Sequence, residues 1–183
     1  MEKLYETFIK QYNNFLKEID SLKKCKICTL GPEGTSSDYA VNYLISSLNK
    51  KEGFFEVTLK NSFKIIFDIL NKREVDYALI PTAYEGITDF FWHDGFENIC
   101  NFILKTPEYG LVCSNDLNFL EKENIKLSTV SAVQNLIDFF SRDLLVGKKI
   151  EKINTNSTTE AILFLLKKKA DVALTNQTSY NIY

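Results

Sequence analysis

The stretch NSFKIIFDILNKREVDYALI, residues 61–80, has a counterpart 95 positions later in NSTTEAILFLLKKKADVALT, residues 156–175. Both begin with Asn-Ser, continue with apolar residues at helical spacing, reach a charged turn and end in a short strand-like run. Ser62 and Ser157 stand where a helix N-cap is expected, and Glu160 completes a capping box with Ser157. Agreement of cap, helix, turn and strand at one offset predicts two similar strand–helix–strand units, and therefore two lobes.

Helical and strand-like segments alternate along the rest of the chain. Residues 2–23 form a predicted amphipathic helix, and its apolar stripe consists of Leu4, Phe8, Tyr12, Phe15 and Ile19. A turn or short helix is expected within residues 81–94. Further helices are predicted over residues 36–48, 62–70, 132–140 and 157–166. Strands are predicted over residues 26–30, 54–59, 77–80, 99–104, 110–114, 127–130, 150–154 and 172–175.

This alternation is typical of an α/β fold with mostly parallel sheets. We expect an N-terminal amphipathic helix over residues 1–24, a first lobe over residues 25–81 and a second lobe over residues 82–183. In parallel sheets, ligands bind beyond the carboxyl ends of the strands, where helices begin. Two lobes would bring those ends to a shared cleft, so the cleft is the predicted binding site.

Composition narrows the range of partners. The formal net charge is −2 and the sequence pI is about 5.6, which disfavours nucleic acid, because phosphate binding requires a basic face. No apolar run approaches the roughly 18 residues that cross a bilayer. Residues 1–24 are charged throughout and have no apolar core of a secretory signal, so we expect a cytoplasmic protein without a membrane partner.

Two motifs were weighed for cofactor chemistry. Cys25 and Cys28 have the spacing of a zinc half-site or a redox pair, but a second ligand pair is missing and the run around them has the pattern of a buried strand. The GK[ST] of a P-loop and the GxGxxG of a dinucleotide site are both absent. We therefore expect no metal and no cofactor.

Hydroxyl groups cluster at predicted helix starts. The turn GPEGTSSD, residues 31–38, places Thr35, Ser36 and Ser37 at the start of a helix, where free N–H groups and hydroxyls bind carboxylates or phosphates. Residues 154–159 and 175–179 repeat this composition in the second unit. Each cluster alone is equally consistent with an ordinary cap or turn. His93, in an aromatic loop, is either a general acid or a packing residue.

These residues resemble a known family. TLGPEGTSSDYA, residues 29–40, is similar to the opening GPxGTfs motif of prephenate dehydratase domains. Further family motifs follow in order, at Ser62-Phe63, Asp76–Pro81, Tyr109-Gly110-Leu111, Asn156-Ser157-Thr158 and Asp171–Asn176. PTAYEG, residues 81–86, resembles the PxAYDG of the bacilysin-pathway prephenate decarboxylases, and the late Thr-Arg-Phe of dehydratases is absent. Thr129-Val130-Ser131 stands where the family has Ser-His-Pro.

The resemblance implies a two-lobed, periplasmic-binding-protein-like domain without an ACT regulatory domain. It also implies a carbon–carbon lyase that decarboxylates prephenate to a dihydro-4-hydroxyphenylpyruvate without aromatising the ring, in antibiotic biosynthesis. Its small-molecule partner would be prephenate or a similar dicarboxylate. The substrate-binding candidates are Thr35, Ser36, Ser37, Tyr84, Ser157, Thr158, Thr175 and Asn176.

Several alternatives remain open. His93 and Tyr84 are candidates for the catalytic acid, and neither is selected by the sequence. A diverged prephenate dehydratase and a non-catalytic carboxylate-binding protein are the competing functions. The N-terminal helix could pack on its own lobe or on a twin subunit, which would give a homodimer.

Overall fold

The fold is described from a computed structural model, which covers residues 2–114 and 117–183. The strands are β1 (Cys25–Leu30), β2 (Phe55–Lys60), β3 (Tyr77–Ala78), β4 (Tyr109–Cys113), β5 (Asn124–Thr129), β6 (Lys149–Asn154) and β7 (Val172–Asn176). The helices are α1 (Glu2–Ser21), α2 (Ser36–Ser47), α3 (Phe63–Asn71), α4 (Ile87–Phe91), α5 (Leu136–Leu144), α6 (Thr158–Leu166) and α7 (Gln177–Ile182). Short 3-10 turns occur at Leu117–Glu121 and Ser131–Val133.

The strands form two separate sheets. The first has the order β2-β1-β3 and is parallel throughout. The second has the order β4-β7-β5-β6, in which β5 pairs in parallel with β6 and β7 while β4 runs antiparallel to β7. The predicted α/β class with mostly parallel sheets is therefore confirmed.

The repeat seen in the sequence is visible in three dimensions. β2-β1-β3 of the first sheet matches β6-β5-β7 of the second in order and direction. In the first sheet the Asp76 carboxylate accepts the backbone N–H of Lys26 at 2.7 Å. In the second the Asp171 carboxylate accepts the backbone N–H of Lys126 at 2.9 Å. Each aspartate thus fixes the start of its strand against the central strand of its sheet.

The equivalent helices α3 and α6 begin and end in the same way. The hydroxyls of Ser62 and Ser157 accept the backbone N–H three residues ahead, as N-caps do. Both helices end at a residue in the left-handed region, Arg73 at φ +57° and Lys168 at φ +56°. Glu160 completes its capping box by accepting the backbone N–H of Asn156 at 2.6 Å.

Some predicted elements are wrong. Residues 99–104 form no strand, because they run irregularly past the first sheet without ladder hydrogen bonds. Ile99 and Cys100 instead pack against the core around Phe15 and Val41, while Ile103 is fully exposed. An apolar run predicts burial, but a strand also needs a backbone partner.

The other differences concern boundaries. The strand predicted over residues 77–80 pairs only at Tyr77–Ala78. The helix predicted over residues 132–140 begins later, at Leu136, so that Ile137 can enter the core of the second sheet. α7 was not predicted as a helix. The region of the helix predicted over residues 132–140 contains a 3-10 turn, Ser131–Val133, followed by α5. Local apolar spacing therefore locates a helix better than it locates the first residue of that helix.

Only the C-terminal half of α1 packs against the rest of the chain. Phe15 and Ile19 are buried against the first sheet, with relative exposures of 5% and 1%. Phe8 and Tyr12 on the same predicted stripe are exposed, and the side chain of Leu4 lies outside the described residues. The helix therefore continues beyond the surface that its C-terminal half covers.

Cys25 and Cys28 are fully buried on opposite faces of β1. Cys25 belongs to the core beneath α1 and Cys28 to the core beneath α3, since residues three apart on a strand point to opposite sides. Burial raises the pKa of Cys25 to about 12 and also raises the pKa of Cys28. Two thiols on opposite faces cannot bind one ion, and each of them packs in a separate apolar core.

The segment between the two sheets packs on the first one. Phe90 contacts the core that contains Cys28 and Phe63, and Ile99 contacts the core beneath α1. The boundary expected at residue 81 stays a prediction. In the part of the chain that the structure describes, no helix has the length and apolar character needed to span a membrane.

The two aspartates at the strand starts lead to a test of stability against pH. Burial raises the pKa of Asp171, but hydrogen bonds from Lys122 and from the Lys126 N–H outweigh it, so the net pKa is lowered. A lowered folded-state pKa stabilises the fold above the unfolded pKa of about 4 and stops doing so as the pH falls through the folded value. We expect Asp171→Asn to lower the free energy of unfolding by about 1 kcal/mol at neutral pH.

This difference should disappear as the pH is lowered below about 4, measured by urea denaturation across a pH series. Asp20→Asn is the matched control, because Asp20 pairs with Lys50 but its side chain is 68% exposed. We expect its effect to stay below about 0.5 kcal/mol. A D171N protein as stable as the wild type at neutral pH would contradict the assignment.

Candidate functional site

A cavity of about 840 Å³ lies between the two sheets. Its walls come from the start of α2 and the β3–α4 connection in the first half, and from β4 and the start of α6 in the second. Of the predicted binding residues, those that line the cavity are Thr35, Ser36, Ser37, Tyr84, Ser157 and Thr158. The structure therefore brings the two predicted hydroxyl clusters to one space.

The turn before α2 is held by its own side chains. The Thr35 hydroxyl donates to the Leu30 carbonyl at 2.8 Å and accepts the Asp38 N–H at 3.0 Å. The Asp38 carboxylate accepts the N–H of Gly34 at 2.9 Å, and Gly34 adopts φ +86°, where a side chain is strained. The hydroxyl of Thr35 is therefore engaged in capping α2.

The next two residues keep groups for a ligand. Ser36 and Ser37 occupy the first turn of α2, where backbone N–H groups have no acceptor within the helix. The Ser37 side chain is buried at 5% exposure, and Ser36 is half-buried at the cavity wall. Two amides and two hydroxyls thus converge at the positive end of a helix dipole, an arrangement that favours an anion.

The second helix start has the same form. The Ser157 hydroxyl caps α6 by accepting the Glu160 N–H at 3.0 Å. Thr158 follows as the first residue of α6, so its backbone N–H also lacks an acceptor within the helix. Ser157 and Thr158 are buried but reach the cavity. The cavity is consequently flanked by two helix starts, one from each half.

Asn176 joins these two starts. Its side-chain Nδ2 donates to the Ser36 hydroxyl at 3.2 Å and to the Thr158 hydroxyl at 3.0 Å. Its Oδ1 accepts the Ser179 N–H at 2.8 Å and so caps α7. Asn176 is 1% exposed and does not line the cavity, so it positions the site from behind.

α7 completes the contact between the halves. The Ser179 hydroxyl donates to the Gly34 carbonyl at 2.9 Å and pairs with the Thr159 hydroxyl at 2.8 Å. A Cβ on Gly34 would come within 2.8 Å of the Ile182 side chain, so the close approach requires glycine. Thr175, a predicted binding residue, donates to the Thr158 carbonyl at 2.7 Å and also lies behind the cavity wall.

Aromatic rings form the opposite wall. The Tyr84 ring lies 4.3 Å from the Phe63 ring and 6.5 Å from the Phe90 ring, measured between centroids. Gly86 makes room for it, since a Cβ there would lie 2.6 Å from the Tyr84 hydroxyl oxygen. Burial raises the pKa of the Tyr84 phenol, and the charges of Asp89 and Glu85 add to the rise.

Tyr109 was not nominated from the sequence. It is the first residue of β4, it lines the cavity, and its hydroxyl lies 3.2 Å from the hydroxyl of Ser36. This contact crosses from the second sheet to the first helix start. The only sequence signal was its place in the Tyr109-Gly110-Leu111 motif of the resembling family.

His93 lies apart from the cavity walls. Its ring stacks on Phe96 with 4.1 Å between centroids and meets the edge of Phe67 at 5.2 Å. Its Nδ1 accepts the Gly95 N–H at 3.1 Å. These contacts fit the interpretation of His93 as a packing residue.

Within residues 2–114 and 117–183, no group of three or more His, Cys, Asp or Glu side chains is placed to hold a metal ion. The polar groups that face the cavity from the two helix starts are hydroxyls and amides. Such groups suit a small organic anion better than a metal, because hydroxyls and amides of this kind are weak metal ligands.

Comparison with known proteins shows clear relatives. The chain is 31% identical over 172 residues to a prephenate decarboxylase of Bacillus subtilis (strain 168), covering 91% of this chain and 81% of the relative. It is also 31% identical over 156 residues to a prephenate decarboxylase of Planktothrix agardhii (strain NIVA-CYA 126/8), covering 85% of this chain and 77% of the relative. No protein-family model matches the chain.

Solved structures share the fold. The prephenate dehydratase of Arthrobacter aurescens in complex with L-Phe matches with a TM-score of 0.59 and 16% identity, over 86% of this chain and 51% of that chain. A periplasmic binding protein of Brucella ovis with glutathione bound matches with a TM-score of 0.53 and 15% identity, over 91% of this chain and 56% of that one. The chain thus spans about half of each, and the predicted two-lobed fold type is confirmed.

The role of Asn176 is testable through stability. Asn176→Ala removes a helix cap and two buried hydrogen bonds, so we expect the free energy of unfolding to fall by about 2–4 kcal/mol. Gln177→Ala is the matched control, because the neighbouring Gln177 is exposed and its side-chain amide donates to the Asn181 side chain. We expect a change below about 0.5 kcal/mol there. Equal urea midpoints for the two variants would show that Asn176 does not hold the halves together.

Proposed function

Because this chain belongs to the prephenate decarboxylase family, we propose that it decarboxylates prephenate to a dihydro-4-hydroxyphenylpyruvate and leaves the ring hydroxyl in place. The observation that carries the proposal is the pair of helix starts, at Ser36 and Thr158, that face one cavity from opposite halves. Prephenate carries two carboxylates and is small enough for a cavity of about 840 Å³. Each half can therefore contribute to holding one dianion.

The helix starts supply the affinity. In this proposal the backbone amides of Ser36 and Ser37 and the Ser37 hydroxyl bind the pyruvyl carboxylate, and Ser157 with Thr158 binds another polar group of the substrate. Hydrogen bonds to a charged group stabilise by about 1.5–3 kcal/mol each, more than bonds between neutral groups. The sequence has two arginines, Arg73 and Arg142, and neither lines the cavity, while Lys64, the one lysine among the described lining residues, is exposed. In this proposal amide dipoles therefore carry most of the charge recognition.

In this proposal the aromatic wall makes the second carboxylate of the substrate more prone to leave as CO₂. A carboxylate placed against Phe63, Tyr84 and Phe90 loses hydration without gaining strong hydrogen bonds. Loss of CO₂ removes that charge, so the transition state is less disfavoured by the apolar wall than the bound substrate is. Conversion to phenylpyruvate also releases CO₂, but it requires in addition a proton on the departing ring hydroxyl oxygen. A cavity with one well-bound and one poorly bound carboxylate favours loss of CO₂, and the site of protonation then decides between the two products.

The reaction needs neither redox chemistry nor a carbonyl sink from a cofactor, because the ring diene accepts the electron pair. We therefore propose that the protein works without a cofactor. The cytoplasmic location and the antibiotic-biosynthetic context stay predictions from the sequence and the resemblance.

The central experiment follows purified protein and prephenate by proton NMR. We expect prephenate to disappear with release of CO₂ and growth of non-aromatic ring signals. Growth of phenylpyruvate would favour the dehydratase alternative. A raised melting temperature with intact prephenate would favour the non-catalytic binding alternative.

The Ser36→Ala variant tests the role of the first helix start. We expect kcat/KM to fall about 10- to 100-fold, the equivalent of one hydrogen bond to a charged group. Ser46→Ala is the matched control on the same helix, since Ser46 is exposed and donates only to the Tyr43 carbonyl. Equal activity of the S36A and S46A proteins would remove Ser36 from the proposed site.

We also propose that the exposed half of α1 pairs with α1 of a second copy. Tyr5, Phe8 and Tyr12 are 67%, 51% and 36% exposed on one side of the helix. Pairing two copies through this face would cover these side chains, since a two-fold contact joins the same surface of both copies.

Substitution at the centre of this face tests the pairing. Phe8→Glu should weaken the dimer, because it brings two like charges together within an apolar contact. Sedimentation equilibrium gives the dissociation constants. Lys17→Glu, an exposed substitution in the half of α1 that packs on the body, is the control and should leave the dimer unchanged. A monomeric wild type, or a dimer indifferent to Phe8→Glu, rules the pairing out.

A further inference from the structure

Tyr109 occupies a rigid position at the junction of the two halves. Its backbone lies in register with Asn176 in the β4–β7 pair, and the adjacent Gln177 N–H donates to the Glu108 carbonyl at 2.7 Å. Its hydroxyl reaches across the cavity to the Ser36 hydroxyl at 3.2 Å. The phenol is therefore placed by the same elements that join the helix starts.

The donor and acceptor roles in this chain allow an arrangement in which the phenolic proton points into the cavity. Asn176 Nδ2 can only donate, so the Ser36 oxygen accepts at that contact. The Ser36 proton is then available for the Tyr109 oxygen, since the two hydroxyls are within hydrogen-bond distance. When Ser36 donates in this direction, the Tyr109 proton is free to point at a ligand in the cavity.

Other acidic groups of the cavity wall are less suitable as the proton donor. Burial raises the pKa of Tyr84, and its ring packs on Phe63, so this phenol holds its proton more tightly. Glu85 and Glu97 are exposed at the rim, where a carboxylate would repel a dianion. Asp76 accepts the Lys26 N–H and belongs to the sheet. Among the phenols of the described lining residues, which are Tyr39, Tyr77, Tyr84 and Tyr109, the structure places only the Tyr109 hydroxyl within hydrogen-bond distance of a helix start.

We propose that Tyr109 is the catalytic acid that delivers a proton to the ring during decarboxylation. The inference rests on the proposed function and names the residue that this reaction requires. The bond between the ring carbon and its carboxylate breaks, and its electron pair forms a double bond to the neighbouring ring carbon. The electron pair of the adjacent ring double bond takes the Tyr109 proton at its far carbon.

The products of this step balance. CO₂ leaves, one carbon–hydrogen bond replaces one carbon–carbon bond, and the carbon–oxygen bond of the ring hydroxyl stays intact. The dianion becomes a monoanion, and the second negative charge resides on the Tyr109 oxygen. The Ser36 hydroxyl stabilises that phenolate by donating to it, and water returns the proton after product release.

The Tyr109→Phe variant tests the proposal, because it removes one oxygen and leaves β4 unchanged. We expect kcat to fall about 10²- to 10⁴-fold, the usual contribution of a positioned general acid, with KM altered less than about threefold. Tyr43→Phe is the control, since Tyr43 is 47% exposed on α2, stacks on Phe102 and does not itself line the cavity. Prephenate binding by calorimetry and thermal unfolding check that the Y109F protein remains folded.

Product labelling in D₂O adds a readout that a structural role would not change. Wild type should place deuterium on one face of one ring carbon, and S36A should do the same more slowly because Tyr109 is still present. The residual product of Y109F should carry deuterium on both faces. Tyr109→His provides a second variant, in which kcat should exceed that of Y109F and fall as the pH rises through about 6–7, where imidazole loses its proton.

The outcomes test the proposed function and the role of Tyr109 separately. A wild type that forms no non-aromatic decarboxylated product from prephenate overturns both the proposed function and the role of Tyr109. A wild type that turns over while Y109F keeps its kcat, or changes only KM, overturns the role of Tyr109 and leaves the proposed function standing. Single-face labelling by Y109F does the same.

Discussion

The buried side-chain amide of Asn176 is the interaction on which the site depends. It donates to Ser36 in the first half and to Thr158 in the second, and it accepts the N–H of Ser179 at the start of α7. A buried amide left without these partners would lose several hydrogen bonds at once, so the arrangement is strongly favoured over separated halves. The geometry of the cavity therefore follows from an amide that never touches it.

In the proposed function, recognition of an anion in this cavity relies mainly on dipoles. Two helix starts present amides and hydroxyls, one from each half, and the rings of Tyr84 and Phe63 line the same cavity. Interactions with fixed dipoles strengthen where apolar groups exclude water. A charged arginine in the same place would bind both carboxylates firmly and would oppose the loss of either. A site built from hydroxyls can bind one carboxylate well and leave the other poorly stabilised.

Features that depend on residues close in the sequence were predicted correctly, and features that depend on distant residues were not. The starts of α3 and α6 were predicted because Ser62 and Ser157 act on amides only three residues ahead. The strand expected over residues 99–104 was wrong, because pairing requires a distant partner that apolar pattern does not reveal. Tyr109 was missed for a related reason, since its importance comes from Ser36, which lies 73 positions earlier in the chain.

The sequence by itself determined the α/β class, the internal repeat, the helix starts and the hydroxyl clusters, because caps and periodic apolar faces are encoded within a few residues. Only the tertiary structure decided that the two clusters face one cavity, that Thr175 and Asn176 support it from behind, and that His93 lies elsewhere. These facts arise from hydrogen bonds between residues up to 145 positions apart, such as Ser179 with Gly34. Local pattern carries no information on such contacts, because they exist only once both sheets are packed together.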